Sequence, residues 1–126
     1  MSHIVPISMK ASTTIAAYRI VTCLTSTANT VKVTAAATER CIGVTADTVL
    51  DTALAIPVVV AGIAKVYFND TCTSGGLVSY DSAGRGVPHV DTTAGSYVIG
   101  VLLGPTIAAT GTIADVLVQP HFKSIP

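Results

Sequence analysis

Apolar and polar positions alternate along this chain in short runs, and the alternation has the period of a strand. Val31 and Val33 are interleaved with Lys32 and Thr34 over Thr30–Ala35, the two-residue spacing that sends one set of side chains to each face of a sheet. Ala17–Cys23, Cys41–Thr45, Leu77–Tyr80, Val87–Val90, Tyr97–Leu103 and Ile113–Gln119 are further short segments rich in Val, Ile, Thr and Tyr, which pack well on a pleated surface. The densest stretch is Ala55–Phe68, where Val58-Val59-Val60 and Ile63, Val66, Tyr67 and Phe68 flank Ala61-Gly62. A Gly between two such runs reads as a turn, so this stretch predicts a central hairpin.

Turn formers separate the runs. Leu24–Asn29, Asn69–Gly76 and Asp81–Gly86 are dense in Gly, Ser, Thr, Asn and Asp, and Gly84 and Gly86 are free to take positive φ. Asp47–Thr52 reads as a loop, Ala35–Arg40 is long enough for one helical turn only, and Pro88 makes its strand an edge. Residues 1–14 and 120–126 contain prolines and neither periodicity, and they read as N- and C-terminal arms. The predicted fold is all-β or mainly β, a compact β-barrel or β-sandwich formed by a single domain over residues 15–119, with extended arms at 1–14 and 120–126. Cys41-Ile-Gly-Val is echoed by Val98-Ile-Gly-Val. The echo is compatible with two similar β-units and equally with chance, because the string is short.

Charge and cysteine content change the picture by exclusion. A chain of 126 residues buries a core without staples, and Cys23, Cys41 and Cys72 form neither a C-x-x-C pair nor an even set, so no disulfide framework or zinc site is signalled. Charged residues are 11% of the chain, with seven basic residues balancing seven acidic ones. No field exists to steer a polyanion, so nucleic acid is not an expected partner. Zero net charge with a mean hydropathy of +0.66 describes a surface short of repulsion, which suits an assembly subunit better than a free monomer. The first ten residues lack the basic and apolar regions of a secretory signal, so synthesis in a reducing cytoplasm is expected. The uncharged run Thr92–Ala114 is long enough to cross a bilayer, but its glycines, threonines and Pro105 divide it into two strands and a loop, so no membrane span is expected.

Candidate chemistry is thin. His89 and Asp91 share one strand face, the nearest approach to a hydrolase pair, yet no G-x-S-x-G accompanies them and two polar edge residues explain them as well. Asp70, Asp81 and Asp91 match no calcium loop, and Gly75-Gly76 and Gly84-Arg85-Gly86 lack the Lys and the helix of a phosphate loop. Asn69-Asp70-Thr71 is a formal glycosylation acceptor that reads more simply as a turn, and His3 and His121 lie in the arms. No catalytic residue, cofactor or metal ligand is predicted.

The order of elements is more informative than any one of them. Val31-Lys-Val-Thr, Cys41-Ile-Gly-Val-Thr-Ala, Pro57–Val66, Gly75–Pro88, Tyr97-Val-Ile-Gly-Val-Leu and Ala114-Asp-Val-Leu-Val follow one another in a sequence that resembles the small decoration or cement proteins of tailed-bacteriophage capsids. Asn69-Asp70 stands where that family often has Gly-Asp, and Leu50–Leu54 lacks its usual Gly. The resemblance implies a structural protein of the virion, on the capsid exterior, commonly a homotrimer, that bridges and stabilises neighbouring major capsid protein subunits. A recombinase assignment sometimes given to this family conflicts with the missing phosphate-binding loop. The alternatives are a β-sandwich binding module or a tail- or fibre-associated virion protein, and, among enzymes, a small hydrolase using His89 and Asp91. Arms that order on a neighbour convert flexibility into contact area, so Ile4, Val5, Pro6, Ile7 and Phe122 are the expected partner-interface residues.

Overall fold

The computed structural model describes residues 4–23, 29–34, 40–46, 48, 55–89 and 96–123. Nine strands run through them: β1 (Ile4–Ala11), β2 (Ile20–Cys23), β3 (Thr30–Val33), β4 (Cys41–Thr45), β5 (Ile56–Phe68), β6 (Leu77–Tyr80), β7 (Gly86–Pro88), β8 (Ser96–Leu102) and β9 (Thr112–Lys123). The fold is all-β, as the strand-period runs predict. Residues 35–39, most of Asp47–Thr52 and the segment Val90–Gly95 lie outside the described residues. No described helix is long and apolar enough to cross a membrane.

Strand neighbours follow the order β1-β3-β2-β4-β5-β7-β6-β8-β9, with further pairings β1–β5 and β5–β9. The strands β1, β3, β2, β4 and β5 thus close on themselves as a five-strand barrel. The remaining strands leave β5 and come back to it, through β9 along Gly62–Phe68 and through β7 at the single pair Phe68↔Gly86.

The stretch expected to be a hairpin is one continuous strand. Gly62 takes a φ of 97°, but the chain does not reverse there. Its two edges are both occupied, by Ile4 on β1 and by Val118 on β9, so backbone pairing on either side holds the chain extended through the Gly. What changes at Gly62 is the partner: β1 lies along Ile56–Gly62 and β9 along Gly62–Phe68. The Gly sits where one strand passes from one group of neighbours to the other.

Both segments read as arms also enter the sheet. Ile4–Ala11 pairs antiparallel with β5 and then parallel with β3, and Met9 and Ala11 are buried. The chain of β9 continues through Pro120 to Lys123, where it pairs with β8. Proline is tolerated in a strand at a bulge, where no ladder hydrogen bond is required of it. The register of β1 on β5 shifts between Val5 and Pro6, and that of β8 on β9 shifts opposite Gln119-Pro120. Each proline therefore marks an irregularity within a strand and not the boundary of the folded body.

Two cores flank a shared wall. The larger contains Ile20, Val44, Val66, Phe68, Val78, Tyr80, Ile99, Leu102, Val116 and Val118; the smaller, inside the barrel, contains Met9, Ala11, Ile15, Val21, Val31, Ile56 and Val58. Successive residues of the wall point to opposite cores: Ile20 and Val21 on β2, Cys41 and Ile42 on β4, Val59 and Val58 on β5. Strands covered on both faces carry unbroken apolar runs, which is why Ile20-Val21 and Val58-Val59 do not alternate with polar residues.

Candidate interface surface

The expected interface residues lie on two strands, β1 and β9, that flank β5 at Gly62. Ile4 pairs with Gly62, and Phe122 lies four residues beyond Val118, the other partner of Gly62. Past that pair β9 leaves β5 and continues with β8 as a ribbon, Val98↔His121, Tyr97↔Phe122 and Ser96↔Lys123. The backbone thus places Ile4 and the root of this ribbon on the two edges of β5 at Gly62, with Ile7 farther along at Val58. The side chains of Ile4, Val5, Pro6 and Phe122 lie outside what the structure describes; Ile7 is 41% exposed, one of three large apolar side chains so exposed among the described residues.

The other two, Leu103 and Ile113, belong to a surface that the sequence reading missed. Register places Ile63 on β5 beside Leu117 on β9, Leu117 beside Val101 on β8, and Val101 beside Leu77 on β6. Paired residues project from the same side of a sheet, so these four half-buried residues form a ladder across four strands. The reverse side of the same strands holds Ala64, Val66, Val116, Leu102 and Val78 in the core. A sheet with one solvated face ordinarily alternates apolar-in with polar-out; here both faces are apolar. The period-two signal was present in the sequence as Ile63-x-Lys65-x-Tyr67 and Ile113-x-Asp115-x-Leu117, but no rule of sequence alone tells which of two apolar faces is inside.

Beside the ladder, Lys65 on β5 meets Asp115 on β9 at 3.3 Å, with 57% and 50% of their side chains exposed. An ion pair so exposed adds little to stability, so its consequence is for the character of the face. Two open grooves meet at this pair. One, of about 550 Å³, runs past Tyr18, Ala46, Val59 and Ile63; the other, of about 430 Å³, runs past Pro105, Ile107, Ala108 and Ile113.

Tyr18 has a φ of 65°, which costs free energy for a residue with a bulky side chain and persists only where neighbours hold it. Its N–H donates to the Thr45 carbonyl at 2.8 Å and its carbonyl accepts from the Tyr67 N–H at 3.0 Å. The hydroxyl of fully buried Thr45 accepts from the Arg19 N–H at 3.1 Å and donates to the Ala16 carbonyl at 3.1 Å. Arg19 then lies over the Tyr67 ring at 4.3 Å. This lock shapes the rim of the larger groove.

The residues considered for chemistry are otherwise engaged or not described. Asp91 lies outside the described residues, and the His89 N–H donates to the Leu77 carbonyl at 3.0 Å. Asp70 accepts from the Thr71 N–H at 2.7 Å, within its own turn. Asp81 organises the next loop, accepting from the N–H groups of Ala83 and Arg85, from Arg85 Nε at 2.9 Å and from Asn69 Nδ2 at 3.1 Å. Of the two glycines expected to turn, Gly84 takes a φ of 71° while Gly86 begins β7. Among the described residues no group of three or more His, Cys, Asp or Glu is placed to hold a metal ion. Cys23 is exposed, whereas burial pushes the Cys41 thiol up to about 11, offset in part by hydrogen bonds with Tyr80 and the backbone. Cys72 is raised by burial and by the nearby Asp70 carboxylate. Neither buried thiol has the depressed pKa that makes a nucleophile.

Together the barrel, the shared strand β5 and the apolar outer face define an all-β domain. Among solved structures it is similar to the N base of the head fiber gp8.5 of bacteriophage phi29, with a TM-score of 0.67 and 17% identity over 93% of this chain and 95% of that one. At that identity the likeness shows a shared fold. No protein-family model matches the sequence, and no curated protein matches it.

Proposed function

We propose that this chain is a structural protein of a bacteriophage virion, a decoration protein that attaches to the outer surface of the head and bridges neighbouring major capsid protein subunits, working with copies of itself as a homotrimer. The observation that carries the reading is the full-length likeness in fold to a base that belongs to a phage head fiber. The balanced charge of the chain agrees with protein partners on a shell and not with nucleic acid or an anionic membrane. Contacts of moderate strength suffice for such a role, because they are repeated over a closed shell and add through multivalency. In this reading the chain is made in the host cytoplasm, has no cofactor and catalyses no reaction, and Ile4–Ile7 with Phe122 form the contact with the capsid.

The same likeness favours one alternative within this class: a foot from which a fibre projects. The two readings share attachment to the head and differ in what lies beyond the body.

The test is sedimentation of the purified chain with heads of the encoding phage prepared without it. Saturable co-sedimentation at a copy number set by shell symmetry is the expected result, with binding weakened at least about tenfold by Ile7→Glu. A chain that stays in the supernatant at micromolar concentration defeats the proposal. Microscopy of the decorated heads separates the alternatives, since a fibre foot carries density well outside a body of 12.8 kDa.

A further inference from the structure

We infer that the outer face of β5, β9, β8 and β6 is the contact between copies of this chain, with the ladder Ile63, Leu117, Val101 and Leu77 at its centre. This rests on the reading of the chain as a self-associating subunit and names the surface that does it.

Three observations point to a second copy as the occupant. First, the ladder spans four strands, roughly 14 Å from β5 to β6 at ordinary strand spacing, and Leu103 and Ile113, 47% and 46% exposed, extend it. An apolar centre of this kind, with the polar Lys65, Asp115 and Tyr18 along the grooves beside it, is the anatomy of a protein–protein contact. A stable contact takes about 800 Å² from each partner, so the two grooves beside the ladder belong to the rim. Second, among the described side chains the charged residues on the outer face of these strands are Lys65 and Asp115, one of each sign and directly paired. A face that is neutral in this way meets no like-charge repulsion from its own copy. Third, the pair is complementary between copies. With the faces gathered about the threefold axis of the proposed trimer, Lys65 of each copy can lie over Asp115 of the next, an exchange that costs no net ion pair and sets the register. Arg19 is held over the Tyr67 ring at 4.3 Å and on the Ala17 carbonyl at 3.0 Å.

The experiment is light scattering on the purified full chain and on Leu117→Glu and Val101→Glu, each checked for native far-UV circular dichroism and melting. Both substitutions change outward side chains, so either alone carries the test if the other fails to fold. The wild type is expected at a multiple of 12.8 kDa, and each variant at the monomer mass, with a dissociation midpoint raised at least about 100-fold by a carboxylate placed in the apolar centre. Lys65→Glu alone weakens assembly, and K65E combined with D115K restores it. If both folded variants assemble as the wild type does, the inference about this face is overturned while self-association stands. A wild type that is a monomer at every concentration overturns both, and leaves the face to a different protein.

Discussion

Gly43 and Gly100 are the glycines of the two Ile-Gly-Val strings, and both sit where a neighbouring strand's carbonyl lies against the α-carbon. A Cβ added at Gly43 would meet the Val59 carbonyl oxygen, with Val58 Cγ1 at 2.9 Å; one added at Gly100 would meet the Leu117 carbonyl oxygen. Each site adjoins a register shift, opposite Ile42 on β4 and between Val98 and Gly100 on β8. The obstructing atoms are backbone, which gives way only by moving a strand. Gly43→Ala and Gly100→Ala are therefore expected to destabilise by about 2–4 kcal/mol each in urea unfolding. Gly75→Ala is the internal comparison, since a Cβ there meets nothing within 4 Å and strains only a φ of 80°. It is expected to cost about 1 kcal/mol. Equal losses at all three positions would show that close approach does not explain Gly43 and Gly100.

At the scale of elements, β1 illustrates what the sequence made legible and what it hid. The strands β4 and β6 coincide with segments read as short runs rich in Val, Ile, Thr and Tyr, and β8 is displaced by a single residue, because their flanking Gly, Ser and Asp mark turns locally. β1 and the end of β9 were hidden by Pro6 and Pro120, whose meaning depends on bulges formed with strands distant in sequence. The course of β5 was hidden for the same reason: Gly62 is extended by its partners Ile4 and Val118, which no local pattern names. Of the candidate surface, Ile7 was legible only as an apolar residue of a segment read as an arm, and the ladder was not legible at all, since it exists only once four registers are combined. A prediction follows from the burial of Met9 beneath β5. Deleting residues 1–10 strips the cover from Ile56, Val58 and Val31 in the smaller core, and burial of Met9 alone is worth about 2 kcal/mol. The deletion is expected to lower the melting temperature by more than about 10 °C, so it cannot serve as a clean test of capsid attachment. Ile7→Ser, at a residue 41% exposed, is expected to change stability by less than about 1 kcal/mol; calorimetry on both variants decides whether β1 is part of the body.

For the whole molecule the question is whether two cores make two folding units. The wall says not. Val58 and Val59 are adjacent on β5 and fully or nearly buried, yet one packs in the barrel and the other in the larger core; the same division holds for Ile20 and Val21 on β2. Unfolding the barrel alone would leave Val59 and Ile20 on strands that had lost their neighbours β1 and β3, and unfolding the larger core alone would uncover one face of β2, β4 and β5. Neither half has a closed set of strands without β5, so melting should be a single cooperative step. Val58→Ala in the smaller core and Val66→Ala in the larger are each expected to cost about 2 kcal/mol and to shift the whole transition down by roughly 6–10 °C. Differential scanning calorimetry reads this directly, as agreement between calorimetric and van't Hoff enthalpies in both variants. A curve that splits, with Val58→Ala moving one part and Val66→Ala the other, would mean that β5 joins two independent domains. A single transition bears on the proposed role: load applied at β1 or at the β8–β9 ribbon would be carried by the same strand, as the proposed attachment to a shell requires.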